Sequence, residues 1–139
     1  MPRLILANVV FVSLLVIHVA DHTVRHDSAV PGPLASIGLT ANVAAVGVLV
    51  LATVGHRLAP AASVAMGFGT ALGFVVAHVV PKWSGAFSQP YADIDVDALS
   101  WAIVGACVVA GLALGTVGLR LGRRRGWGTK PLTDVLPTT

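Results

Sequence analysis

Four stretches of this chain contain no Asp, Lys or Arg for 17 to 22 residues at a time: 4–20, 34–54, 61–80 and 98–119. Crossing the hydrocarbon core of a bilayer takes about 20 residues of helix. The runs are continuously apolar and lack the alternation of a barrel strand. In lipid the backbone must bond to itself, so helix is the conformation consistent with them. Punctuation falls between the runs: Pro31, Gly32 and Pro33 open the second, Pro60 opens the third and Pro81 closes it, as helix boundaries should read. The pattern predicts an all-α, polytopic integral membrane protein, a bundle of four transmembrane helices. The longest hydrophilic segments, the loop 81–97 and the tail 120–139, are too short for a second domain, so 1–139 reads as one unit.

Composition agrees. The 139 residues are 55 % hydrophobic and 11 % charged, against about 25 % charged in a soluble domain, and mean hydropathy is +0.85. All six acids are Asp, so zincin and di-iron helices, which need Glu, are excluded. The single Cys107 allows no intramolecular disulfide and no Cys-x-x-Cys pair. The Ala, Val and Gly bias, with Arg preferred to Lys, reads as a GC-rich bacterial gene.

Charge predicts orientation. With an even number of spans both termini share a side, which carries seven basic residues (Arg3, Arg57, Arg120, Arg123, Arg124, Arg125 and Lys130), leaving Arg25 and Lys82 for the other. Positive residues stay inside, so a multi-pass protein of the plasma (inner) membrane with both termini cytoplasmic is expected. Arg123, Arg124, Arg125 and Trp127 would sit among the cytoplasmic headgroups, where each basic residue contributes about 1 kcal/mol. Lipid is the better partner for this tail, and nucleic acid is not expected.

Helices associate in lipid through close backbone approach, so small residues mark contacts. The third span carries Ala65, Gly69, Gly73 and Ala77 at steps of four; the fourth carries Gly111 and Gly115, then Gly118 and Gly122. Gly69, Gly73, Gly111 and Gly115 are therefore expected at the contact between helices three and four. A second smooth stripe, Ala102, Ala106 and Ala110, leaves a surface for another copy or a larger membrane complex.

Candidate chemistry concentrates at the outer side. His18, His22 and His26 are spaced by four with Asp21 beside them, so one helix face would hold all three if the first helix continues past residue 20. His18 and His78 each lie two residues inside the outer end of a span, about 3 Å deep. His18, Asp21, His22 and His78 would supply three nitrogens and a carboxylate, a set sufficient for zinc or copper(II), while haem b would need one His from each of two helices. The bland alternative is histidines at headgroup level, bonded to water or a carbonyl. Beneath them Ser13, Asn42, Thr70 and Cys107, one per helix, fall about 10 to 15 Å deep. They are expected to form a polar layer that fixes register or floors a pocket. Asp93, Asp95 and Asp97 mimic the first three positions of a calcium loop, but Ala98 and Val104 stand where Gly and Glu are required. Asp97 reads instead as a helix N-cap.

No catalytic motif is present, so an enzyme is not the expectation. The leading reading is an accessory or scaffold subunit that packs against itself or a larger membrane complex. The alternative is a metal- or haem-binding membrane protein using the outer His/Asp cluster, and the third is an oligomeric small transporter or channel.

Overall fold

The computed structural model describes residues 1–25 and 30–126; His26, Trp127 and Lys130 lie outside the described residues. Helix α1 spans Pro2–Ala20 and continues as a π-wound turn, Asp21–Arg25; α2 spans Gly32–Thr53; α3 spans Ala59–Phe74 and also continues as a π-wound turn, Val75–Val79; α4 spans Ala98–Arg124. A 3₁₀ turn at Tyr91–Asp93 breaks the longest described connection. The described residues contain no strand, and all four helices are long and apolar enough to cross a membrane. Helix α4 runs past the apolar run into Arg120–Arg124, because Arg is a good helix former and the turn needs no burial there. Arg125 donates to the Met1 sulfur at 3.3 Å, so the start of α1 and the end of α4 share what we call the arginine end; His18, His22 and His78 lie at the opposite, histidine end.

Local chemistry sets the boundaries. Asp97 caps α4, its carboxylate accepting from the backbone N–H of Leu99 and Ser100, which satisfies two of the donors a helix start leaves open. The end of α2 closes with Gly55 at φ 70°. The His56 N–H then donates to the Leu51 carbonyl at 2.9 Å and the Gly55 N–H to that of Ala52 at 3.3 Å. This paired closure requires a left-handed residue after the cap, which glycine adopts without strain.

Helix α4 is the most enclosed of the four, with 44 % of its most apolar window buried, and α2 the least, with 11 %. Helix α1 turns Leu4, Asn8, Phe11 and Leu15 inward, steps of four, three and four that keep one face. On α3 the inward face is Ser63, Gly67, Ala71, Phe74 and His78.

The contact between α3 and α4 is made of glycine backbone. A Cβ on Gly67 would stand 2.5 Å from the Gly115 nitrogen, one on Gly111 2.7 Å from the Gly67 carbonyl oxygen, and one on Gly118 2.7 Å from that of Pro60. Gly115 is covered by the Phe68 ring, 2.7 Å from where its Cβ would be. The expected contact residues Gly69 and Gly73 need correction, because neither has any neighbour within 4 Å of a built Cβ. At about 100° per residue, Gly69 is some 200° around the helix from Gly67. The stripe Ala65, Gly69, Gly73 and Ala77 thus lines a cleft of about 1060 Å³ between α1, α2 and α3.

Candidate metal centre

The two π-wound turns carry the histidine end. A π turn holds one more residue than an α turn and loosens the carbonyl ladder, and such turns recur at functional sites. On α1 it begins after His18 and contains His22; on α3 it contains His78. Carbonyls of the α3 turn are taken up by the connection to α4. Trp83 Nε1 donates to Val76 at 2.9 Å, and the Gln89 N–H donates to Ala77 at 2.8 Å. The connection thereby folds back over the bundle and buries Ser88, Gln89 and Tyr91.

Three imidazoles meet beneath this cover. One ring nitrogen from each of His18, His22 and His78 lies within 4.8 Å of the other two. Ring centroids are 4.6 Å apart for His18 and His22, 5.3 Å for His18 and His78, and 5.6 Å for His22 and His78. His78 is buried, and the other two are half-buried. Phe74 packs edge-on against His18 with centroids 4.7 Å apart, and Tyr91 lies 4.8 Å from His78 and 5.5 Å from Trp101.

Hydrogen bonds orient the rings. His78 Nδ1 is 3.2 Å from the Gln89 carbonyl oxygen. A carbonyl only accepts, so Nδ1 carries the proton and Nε2 of the neutral ring keeps its lone pair. His22 Nε2 is 3.1 Å from the Tyr91 hydroxyl. Burial, and then the Asp21 carboxylate, push the Tyr91 phenol above its ordinary range, so the hydroxyl stays protonated. His18 Nδ1 is buried with no hydrogen-bond partner among the described residues. A ligating histidine commonly bonds its second nitrogen to a carbonyl or another fixed group, and the His78 contact has this form.

Asp21 requires correction as a fourth ligand. It is buried, but it stands outside the three-histidine group. Its Oδ1 accepts from Arg25, whose other terminal nitrogen donates to Asp97. Through this oxygen the carboxylate takes part in an ion-paired tie between the end of α1 and the start of α4. Asp97 is exposed, and backbone donation from Ser100, helped by Arg25, holds its carboxyl below the usual range. For haem b, the His18 and His78 ring centroids stand 5.3 Å apart, closer than two axial imidazoles with a macrocycle between them, so the pair would have to separate to hold one.

The polar layer does not assemble. Ser13 is exposed, because two residues from Phe11 and Leu15 it faces about 160° to 200° away from the core. Cys107 is buried on α4 and its thiol donates to the Leu14 carbonyl at 3.5 Å. Asn42 and Thr70 line the cleft, bonded within their own helices to the Gly38 carbonyl and the Met66 sulfur. The buried polar contact lies nearer the arginine end instead, where Asn8 Nδ2 donates to the Leu4 carbonyl at 2.9 Å and to Ser63 Oγ at 3.3 Å. Counting depth from the arginine end places Asn8 and Ser63 at similar heights, so that signal was available. Tyr91 and Gln89 had none, since loop residues are placed by long-range contacts. Arg123, Arg124 and Arg125 are exposed at the arginine end.

No family model matches this sequence, and neither the curated proteins nor the solved structures include one similar to it.

Proposed function

We propose that this small multi-pass membrane protein binds a late first-row divalent cation, zinc or copper(II), through His18, His22 and His78. The observation that supports this reading most is the meeting of three imidazole nitrogens within 4.8 Å, one of them oriented by a backbone carbonyl. Ligands at 2.0–2.1 Å around a tetrahedral ion lie about 3.3 Å apart, so closing the triad asks for ring shifts of about 1 Å. Imidazole nitrogen suits zinc and copper better than magnesium or calcium. His78 Nε2 is the ligand atom its tautomer makes available. With the Tyr91 oxygen accepting from Nε2–H, His22 offers Nδ1. Three protein nitrogens leave a fourth position for water or an exchanging ligand, the arrangement of a site that handles its ion rather than buries it. Following the Lys and Arg count, we place the histidine end outside and the arginine end against cytoplasmic headgroups in a bacterial plasma membrane.

Zinc and copper(II) titration of the whole protein tests this, using His18→Ala, His22→Ala, His78→Ala and, as control, His56→Ala. His56 is exposed beside the turn after α2 and bonds the Leu58 N–H. Each triad variant should lose at least about tenfold in affinity, and Tyr91→Phe about tenfold through its bond to His22. Affinity should be lost in acid, because the ligand nitrogens must be deprotonated to bind. Equal losses at all four histidines would end the metal reading.

A second reading is favoured by the seating of α2. With only 11 % of its window buried, its outer face is available to another copy or a larger membrane complex, the contact expected of a scaffold subunit. Mass measurement in mild detergent tests it, and a strictly monomeric protein would remove the homo-oligomer.

A further inference from the structure

From the cleft between α1, α2 and α3 we infer a second binding site, for an uncharged amphiphile with a hydroxyl head and a long apolar tail, the chemistry of a long-chain or isoprenoid alcohol or a quinol. The site shares histidines with the metal centre, but its recognition does not require the ion.

Three observations give the shape. The α3 wall is a smooth stripe of Ala65, Gly69, Gly73 and Ala77, and nothing lies within 4 Å of a Cβ built on either glycine. The lining runs from Ala62 to His78 along α3, about 24 Å at 1.5 Å per residue. Over that length the cleft has a volume of about 1060 Å³, room for an extended chain.

Polarity gives the head. Of the lining polar groups, Asn42 and Thr70 are bonded within their own helices, whereas His18, His22 and His78 gather at one end. With Nδ1–H committed to Gln89, His78 Nε2 is an acceptor, so it favours a head that donates over an ether. Asp21, Asp93, Asp95 and Asp97 at this end outnumber Arg25 and Lys82, and Arg25 is engaged by two of the carboxylates. A fatty-acid head is repelled. An ammonium head would be desolvated, and no carboxylate is among the residues that line the cleft to pair it.

The test uses a dodecanol carrying a photoreactive diazirine on its chain, with chelator-treated whole protein in lipid nanodiscs and crosslinks mapped by mass spectrometry. Labels should fall on cleft residues such as Ile37, Gly69 and Phe74. Unlabelled dodecanol should compete about tenfold better than its methyl ether or laurate, the effect of one hydrogen bond in a dry site. Gly73→Leu should cut labelling about fivefold or more while keeping the unfolding temperature, with Gly69→Leu as the second cleft-filling variant should the first fail to fold. His78→Phe should erase the preference for alcohol over ether. Labels spread evenly around the four helices, equal competition by the ether, or undiminished labelling in both filled variants would overturn the site. So would a Gly73→Leu protein that shifts from dimer to monomer, which would identify a helix of a second copy as the occupant. Zinc titration of the same preparation is scored separately, so the metal reading and this one can fail independently.

Discussion

Helix α3 carries glycines on two faces, and the faces have opposite fates. Gly67 lies against Gly111 and Gly115 with no room for a methyl group, whereas Gly69 and Gly73, a short way along the same helix, border open space. By spacing alone the second stripe is the more regular, four small residues at steps of four. Small side chains only make a face smooth. Whether another helix then closes on it depends on what that helix offers, and α4 offers glycine backbone, while α1 and α2 turn larger side chains such as Val16 and Ile37 to the cleft. The same residue type serves backbone contact on one side and volume on the other.

The sharpest way to break this contrast is to add bulk to each face. Gly67→Leu drives a side chain into the backbone of α4, which cannot move as a flexible side chain would. The cost should exceed the usual 1–3 kcal/mol of overpacking, and the variant should fail to give a folded monodisperse bundle. Gly73→Leu should stay within about 1 kcal/mol of wild type, since Leu is also the better helix former. Thermal unfolding in detergent reads both, and equal losses would erase the distinction.

Next in size is the turn that joins α2 to α3. Gly55 closes α2 in the left-handed region, where a β-branched residue costs about 1–2 kcal/mol. Gly55→Val should lose that much, and Gly47→Val, at an open helical position, should lose almost nothing. A smaller effect separates the polar groups of the two faces. Ser63→Ala removes the acceptor for Asn8 on the packed face and should cost about 0.6 kcal/mol, the average of a hydrogen bond between membrane helices. Thr70→Val on the cleft face gives up a weak bond to the Met66 sulfur and should leave the melting temperature unchanged.

These contrasts also mark what could be read from the sequence. Hydropathy varies along the chain, so the four spans and most of their ends were legible, as was the Asp97 cap. His18 and His22 are local neighbours on one helix, and the depth of His78 follows from its distance to a span end, so their grouping could be anticipated. Rotation about the helix axis could not. Ser13 and Cys107 share a depth, yet one faces out and the other in; Gly67 and Gly69 differ by two residues and face opposite ways. Loop contacts were equally hidden, because nothing near Tyr91 in sequence says that it roofs the histidines, or that Arg25 rather than a metal engages Asp21.

The smallest expected effect concerns that last contact, where the packed side of the bundle meets the open side. Arg25 joins Asp21 at the end of α1 to Asp97 at the start of α4, so the tie holds α1 against the packed pair beside the triad. Asp97→Asn preserves an N-cap acceptor but removes the charge that Arg25 engages. Because the folded-state pKa of Asp97 lies below its ordinary value, its contribution is present above the unfolded carboxylate pKa near 3.9 and is lost as pH falls through the folded value. The variant should therefore unfold slightly earlier than wild type at pH 7, and the difference should close as both are taken below about pH 4. Screening acts in the same direction, since the pair is partly exposed, and added salt should shrink the gap at neutral pH. A gap that persists undiminished in acid would show that the charge of Asp97, in the cap and in the tie to Arg25 alike, contributes nothing measurable.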